Sequence, residues 1–213
     1  MDQISEKVQK GTTTVGIVCK DGIVLAADKR ASAGYLIASK DVDKIHMISS
    51  NMAVTMAGLV SDAQLIVKLA KAELRLKKIR NQKESTVKEG ANMVGGILYQ
   101  NIRKFSTVPG IVSFLLGGKD KHGFRLYELG VDGSVTDVKK FVSTGSGSMM
   151  AYGVMETLYK EDLQMKEGVE LATRAISAAM QRDMATGEGL DVFTITLEGA
   201  KKVVAKKVVS ELK

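Results

Sequence analysis

A glycine followed by three threonines lies near the start of the chain, in the run GTTTVG at residues 11–16. A threonine hydroxyl is a weak nucleophile unless a base lies beside it. Cleavage after Gly11 would free the α-amine of Thr12 within a few bonds of the Thr12 hydroxyl, so that the threonine acquires its own base. The alternative is that three β-branched residues simply begin a β-strand.

Other polar residues stand at the ends of apolar strands. Asp28 follows the run VLAA at residues 24–27, and Lys44 opens the run KIHM at residues 44–47. A lysine lowers the pKa of a nearby hydroxyl, and an aspartate keeps that lysine charged. Gly58 ends a third strand, where a backbone N–H unobstructed by a side chain suits an oxyanion. The alternative for each charged residue is a solvated surface position.

The sequence gives no pattern for a metal or a cofactor. His46 lies within a strand and His122 within a turn, and neither has metal-ligand spacing to another histidine or to Cys19. The run GSGS at residues 145–148 begins like a dinucleotide loop, but Met150 stands where the third glycine belongs. We therefore expect neither metal nor cofactor.

Composition indicates one globular domain in a chain of 213 residues with a net charge of +7. The lysines and arginines are scattered along a helix and a C-terminal tail, and aromatic residues are only 5% of the chain, which disfavours nucleic-acid binding. No apolar run approaches the ~20 residues that a membrane span requires. The charged first ten residues do not resemble a secretory signal, and Cys19 is the only cysteine, so we expect a cytoplasmic protein.

Hydrophobic periodicity predicts strands, then two helices, strands, two more helices and a last strand. Asp21-Gly22 predicts a hairpin between the first two strands, and Thr86 with Glu89 predicts a capping box at the start of the second helix. The first helix is predicted to pack through Leu65, Ile66, Leu69, Ala72, Leu76 and Ile79. Blocks of consecutive strands separated by helix pairs indicate two antiparallel sheets facing each other, each covered by a helix pair.

Several motifs in this order together resemble the β subunits of archaeal-type proteasomes. They are GTTTVG at residues 11–16, DKRAS at 28–32, Lys44, MAGLVSDAQ at 56–64, TGSGS at 144–148, AYG at 151–153 and AISAA at 175–179 leading to Arg182-Asp183. The motifs extend over almost the whole chain. The resemblance implies the α+β fold of the N-terminal-nucleophile hydrolases, a four-layer αββα sandwich, which agrees with the predicted order of elements.

The resemblance also implies roles for single residues. Residues 1–11 would be a propeptide that the protein removes from itself, and residues 12–213 one catalytic domain with Thr12 as the nucleophile. Lys44 would lie beside the Thr12 hydroxyl and pair with Asp28, the Gly58 N–H would bind the oxyanion, and Ser146 and Asp183 would surround the terminal amine. Thr186 stands where the family usually has a serine three residues after that aspartate.

For substrates and partners, the resemblance implies an unfolded polypeptide bound as a strand between the segments after Arg30 and after Gly58. The residues expected to contact it are Ala31, Ser32, Val42, Met56, Gly58 and Val60. Since the pocket lined by Ala31, Val42, Met56 and Val60 would be apolar and uncharged, we expect cleavage mainly after hydrophobic residues. The implied assembly is a homo-oligomeric β ring, heptameric and paired, flanked by rings of α subunits through which a regulatory ATPase would act only indirectly.

Two other functions stay open on the sequence. One is a ring subunit that keeps the fold without catalysis, although Thr12, Asp28, Lys44 and Asp183 are all present. The other is a different self-compartmentalising N-terminal-nucleophile hydrolase.

Overall fold

The computed structural model of the chain describes residues 11–207. Most of the expected propeptide and the last six residues, including Val208 and Val209 of the basic tail, lie outside the described residues. Twelve strands and four helices are formed within residues 11–207.

The first sheet has five strands in the order β10-β1-β2-β11-β12, all antiparallel. Its strands are β1 (Thr13–Cys19), β2 (Gly22–Asp28), β10 (Phe141–Gly145), β11 (Gly189–Thr196) and β12 (Gly199–Lys207). The predicted hairpin at Asp21-Gly22 joins β1 to β2. Every residue of β2 is buried, because this strand lies in the middle of the sheet and is covered on both faces.

The second sheet also has five antiparallel strands, in the order β5-β6-β7-β8-β9. Its strands are β5 (Ile45–Met47), β6 (Met52–Gly58), β7 (Val112–Asp120), β8 (Gly123–Leu129) and β9 (Val135–Val138). A separate hairpin is formed by β3 (Ala31–Ala33) and β4 (Leu36–Ser39).

The helices form two pairs, and each pair covers one sheet. They are α1 (Val60–Asn81), α2 (Val87–Arg103), α3 (Ser148–Leu158) and α4 (Met165–Arg182). The predicted capping box is confirmed, since the Thr86 side chain accepts from the Glu89 N–H and the Glu89 carboxylate accepts from the Thr86 N–H. No helix within the described residues combines the length and apolarity needed to cross a bilayer.

Three apolar layers hold these elements together. One lies between α1, α2 and the second sheet and includes Phe114 and Leu98. Another lies between α3, α4 and the first sheet and includes Ile17. The third lies between the two sheets and includes Leu25 and Leu115. The predicted four-layer αββα sandwich is therefore confirmed.

The predicted packing face of α1 is wrong, except for Ile66. The residues that α1 buries are Ala63, Ile66, Val67, Ala70 and Leu74. Those that it exposes are Leu65, Leu69, Ala72, Leu76 and Ile79. The buried face includes two alanines, Ala63 and Ala70, whose small side chains let a helix approach a sheet closely. The larger side chains of Leu65, Leu69, Leu76 and Ile79 lie on the opposite, exposed face. A pattern weighted by side-chain size misses a packing face built partly from alanine.

The predicted basic tail is also wrong as far as residue 207, because residues 199–207 form the strand β12. This strand pairs with β11 and forms an edge of the first sheet. Its lysines are exposed, and charged side chains on an edge strand discourage pairing with another chain. Paired lysines and valines hide the simple alternation by which strands are recognised.

Adjacent residues of α1 provide a test of its packing face. Ile66→Ala should lower the free energy of unfolding by about 2–5 kcal/mol because it opens a cavity in a buried layer. Leu65→Ala should change it by less than about 0.5 kcal/mol, since 55% of Leu65 is exposed. Chemical denaturation at one fixed protein concentration measures both, and equal losses would contradict the observed face.

Candidate active site

Polar residues from distant parts of the chain meet where β1 begins and β2 ends. The sheet register places Thr13 opposite Gly145 on β10 and Asp28 opposite Leu190 on β11. The start of β1, the end of β2 and the turns next to β10 and β11 therefore lie at the same end of the first sheet. This is the end at which the sequence predicts the chemistry.

Asp28 and Lys44 form a buried ion pair at this end of the sheet. Lys44 Nζ donates to Asp28 Oδ1 at 2.7 Å, and the two side chains are only 2% and 0% exposed. Burial lowers the pKa of Lys44, and the negative charge of Asp28 opposes that shift. The alternative that these residues are solvated surface charges is therefore excluded.

Backbone N–H groups complete the surroundings of Asp28. Thr13 N donates to Oδ1 at 3.0 Å, while Arg30 N and Gly187 N donate to Oδ2, each at 3.0 Å. A carboxylate that accepts several N–H groups is stabilised in its charged form even when it is buried. Asp28 therefore holds Lys44 and three backbone segments in one arrangement.

A second polar group is built around Asp183, which directly follows α4. Asp183 Oδ2 accepts from Ser146 Oγ at 2.6 Å and, in a short hydrogen bond, from Thr186 Oγ1. Thr186 Oγ1 also lies 2.7 Å from Thr13 Oγ1. The structure thus brings together the predicted residues Ser146, Asp183 and Thr186, and adds Thr13. Sequence reasoning missed the side chain of Thr13, because only the fold shows which threonine of the run faces this group.

Two glycines of the run at residues 145–148 allow the chain to pass close to the start of β1. Gly145 has a positive φ of 96°, and a Cβ there would lie 1.9 Å from the carbonyl oxygen of Thr12. A Cβ on Gly147 would lie 2.1 Å from Thr13 Oγ1. The glycines of the run GSGS therefore allow the chain to pack closely against Thr12 and Thr13.

Arg30 fixes the loop that carries Thr186. Its guanidinium donates to Met184 O at 2.7 Å and to Glu188 Oε1 at 3.1 Å. Lys29 N also donates to Gly187 O at 3.2 Å. These contacts tie residues 184–188 to the end of β2 and thereby position the hydroxyl of Thr186.

Thr12 is buried directly before β1, still joined to Gly11. Its hydroxyl donates to Gly11 O at 2.7 Å. Among residues 11–207, no hydrogen bond joins this hydroxyl to Lys44 or Ser146. A Cβ on Gly11 would lie 1.6 Å from the Cβ of Ala185, so only glycine fits in this position. The hydroxyl therefore contacts the carbonyl of the predicted scissile bond.

Gly58 ends β6 directly before α1 and has a φ of 113°. A Cβ on Gly58 would lie 2.2 Å from the carbonyl oxygen of Ile111, on the neighbouring strand connection. The next residue, Leu59, donates its N–H to that same carbonyl at 2.9 Å. Both the positive φ and the close approach require glycine at this position.

The predicted substrate-binding residues fall into two groups. Met56 is buried in the layer beneath α1, and the half-buried Val42 and Val60 pack against the same cluster. Ala31 and Ser32 lie on the β3–β4 hairpin, where Ser32 is buried and Ala31 half-buried. The structure therefore brings the three apolar residues together and places the other two on the strand that follows Arg30.

The residues considered for metal or thiol chemistry lie elsewhere. Cys19 is buried at the other end of β1, and burial raises the pKa of its thiol to about 12. Within residues 11–207, no three His, Cys, Asp or Glu side chains form a group that could hold a metal ion.

Comparison with known proteins identifies the family of the chain. Residues 8–195 match the family model described as Proteasome subunit. The chain is 49% identical over 193 residues to the proteasome subunit beta of Ferroglobus placidus, with 91% of this chain and 90% of the relative covered. It is 44% identical to that of Archaeoglobus profundus, covering 100% and 99%, and 45% identical to that of Methanothermobacter thermautotrophicus, covering 93% and 92%. The chain therefore belongs to the proteasome subunit family and is a subunit of the beta type.

Proposed function

We propose that this beta-type subunit is a catalytic one, a threonine endopeptidase that processes itself and then degrades unfolded polypeptides inside a ring assembly. The observation that carries the proposal is the buried pair of Lys44 and Asp28 at the end of the sheet where Gly11 and Thr12 lie. A buried ion pair is costly to form, which favours a role in chemistry over a role in stability alone.

Self-cleavage after Gly11 is the first step of the proposal. The Thr12 hydroxyl oxygen bonds to the Gly11 carbonyl carbon, and the hydroxyl proton passes to the Thr12 nitrogen as the peptide bond breaks. This leaves an ester between residue 11 and the Thr12 side chain and a free amine on Thr12. Water then hydrolyses the ester that joins residue 11 to Thr12. The hydrogen bond between Thr12 Oγ1 and Gly11 O supports this step because it places the nucleophile beside its target. Residues 1–11 are then the propeptide and residues 12–213 the catalytic domain.

The freed amine then serves as the base for substrate cleavage. An α-amine has a reference pKa of about 7.7–8.0, so part of it is neutral near pH 7 and accepts the Thr12 hydroxyl proton. The hydroxyl attacks a peptide carbonyl, the Gly58 N–H stabilises the oxyanion, and the amine component leaves with a proton. Water then releases the acyl group from Thr12. Before cleavage the same nitrogen is an amide without basicity, so the propeptide keeps the enzyme inactive.

The two polar groups have different proposed roles. Lys44, held by Asp28, lowers the pKa of the Thr12 hydroxyl electrostatically. Ser146, Asp183 and Thr186 orient the new amine. Thr186 retains the hydroxyl of the serine that the family usually has, and its contacts with Asp183 and Thr13 support the same role for the threonine. These steps need no metal or cofactor.

Membership in the beta type supports a ring assembly with α subunits. We propose that this chain forms a homo-oligomeric ring, heptameric and paired, with rings of α subunits on either side. A regulatory ATPase would act only through the α ring, and the whole assembly would work in the cytoplasm. Failure to assemble with an α-type subunit would favour the alternative of another self-compartmentalising N-terminal-nucleophile hydrolase. A non-catalytic ring subunit is less favoured, since the buried Lys44–Asp28 pair would have no use there.

Removal of the nucleophile tests the proposal directly. Thr12→Ala should leave residues 1–11 attached and lower peptidase activity by at least about 10³-fold, the scale seen when hydrolases lose a nucleophile. Thr12→Ser is the matched control, because it keeps a hydroxyl and should still be processed. Intact mass and peptide hydrolysis are the measurements. Normal removal of the propeptide from Thr12→Ala would contradict self-cleavage.

Lys44→Ala tests the role of the buried lysine. We expect an inactive protein that still folds, because three backbone N–H groups continue to stabilise Asp28. Loss of activity should be at least about 10²-fold, with an unchanged circular dichroism spectrum. Lys68→Ala, on the exposed face of α1, is the control and should retain full activity. Retained activity in Lys44→Ala would remove the lysine from the mechanism.

Substrate preference tests the proposed apolar pocket lined by Ala31, Val42, Met56 and Val60. Fluorogenic peptides with leucine or phenylalanine before the cleaved bond should be hydrolysed about tenfold faster than those with glutamate or lysine. The physical reason is that a charged side chain loses hydration in an apolar pocket without gaining a partner. Equal or faster hydrolysis of the charged peptides would overturn the assignment of this pocket.

A further inference from the structure

A chain of alternating charges lies beside the proposed site but takes no part in the mechanism above. Lys29 directly follows Asp28, and its side chain is only 5% exposed. Its ammonium group contacts Asp191 Oδ2 at 3.1 Å and Asp41 Oδ1 at 2.9 Å. Asp191 lies on β11 in the first sheet and is 4% exposed, whereas Asp41 lies on the connection between β4 and β5. Lys29 therefore joins a rigid sheet to an irregular segment.

That segment, Asp41-Val42-Asp43-Lys44, has no regular secondary structure. At one end of the segment Val42 N donates to Lys29 O at 3.0 Å, and at the other end Met56 N donates to Lys44 O at 2.9 Å. Lys44 is also held by Asp28. The end that carries Asp41 and Val42 is thus held by both the backbone oxygen and the ammonium group of Lys29, while the end that carries Lys44 has separate anchors on Asp28 and Met56.

Lysines of the edge strand β12 extend the same network. Lys202 Nζ contacts Asp191 Oδ2 at 3.0 Å and Asp43 Oδ1 at 3.3 Å, and Lys207 pairs with Asp41. These contacts are more exposed than that of Lys29, because the Lys202 and Lys207 side chains are 36% and 61% exposed. Exposed pairs contribute little and are screened by salt, so the buried ammonium of Lys29 is the strongest tie in the network.

Hydrogen bonds and charge together hold Lys29 to both aspartates. Burial by itself lowers the pKa of Lys29, but its hydrogen bonds to Asp41 and Asp191 outweigh burial and raise the pKa above its usual value. Hydrogen bonds from Lys207 and Lys29 hold the pKa of Asp41 at about 2. Lys29 and Asp41 therefore both stay charged near neutral pH.

We propose that Lys29 is a positioning residue for substrate binding, which fixes the 41–44 segment through Asp41 and thereby places Val42 in the pocket for the residue before the cleaved bond. The inference rests on the proposed function, because it assigns Val42 to that pocket. Loosening the segment should weaken substrate binding more than the chemical step, since Lys44 keeps its bonds to Asp28 and β6. A displaced Val42 would lose apolar contact with the substrate in both the ground state and the transition state, so KM should rise while kcat changes little.

Steady-state kinetics of the processed, assembled protein on a fluorogenic peptide with leucine before the cleaved bond test this role. Asp41→Asn and Lys29→Met should raise KM by about five- to tenfold and change kcat by less than about twofold. Lys29→Arg should restore KM, because the guanidinium keeps the charge and both partners. Asp137→Asn is the matched control, as Asp137 also pairs with a lysine and an arginine but lies on β9. An unchanged KM, or a fall in kcat at unchanged KM, would overturn the proposal.

Hydrogen exchange provides a readout that does not depend on catalysis. The Val42 amide should exchange faster in Asp41→Asn than in the parent protein or in Asp137→Asn, and an unchanged rate would overturn the proposal. Asp41 is half-exposed, so this variant should fold even if Lys29→Met does not. A parent protein without Thr12-dependent activity would refute the proposed function, whereas the exchange comparison would still decide whether Lys29 and Asp41 hold the segment.

Discussion

The rest of the site depends on the interactions of the buried Asp28 carboxylate. It is buried, it accepts from Lys44 Nζ, and it accepts backbone N–H groups from Thr13, Arg30 and Gly187. A buried charge is costly unless it is paired and hydrogen-bonded, so the fold must bring all these partners together around it. The same requirement places the start of β1, the end of β2 and the turn before β11 at fixed distances from one another.

Much of this arrangement could be predicted from sequence. The positions of Asp28 and Lys44 at strand ends, the Asp21-Gly22 hairpin and the Thr86 capping box each follow from local chemistry, and the order of strands and helices predicts the layers. The sequence alone does not show that Lys44 is buried rather than exposed at the surface. The burial of Lys44 depends on β6 and β11, which approach from elsewhere in the chain.

The sequence predictions that failed did so for different physical reasons. The packing face of α1 uses Ala63 and Ala70, which close approach favours and hydrophobic weighting ignores. The strand β12 carries paired lysines because an edge strand tolerates charge on its exposed side. The contact of Thr13 with Thr186 and the ion pairs of Lys29 join residues more than ten positions apart. Local periodicity contains no information about such pairings, so only the tertiary structure reveals them.

The hydrogen bond from Gly187 to Asp28 has a consequence for timing. Its two residues are separated by 159 positions, so the buried carboxylate obtains its last backbone donor only after nearly the whole chain has been synthesised and folded. Long-range contacts of this kind form late, because the intervening chain must first lose its conformational freedom. A chain that has not yet folded as far as Gly187 therefore lacks one of the backbone donors to Asp28. The contacts around this carboxylate are complete only when the end of β2 and the turn before β11 have come together.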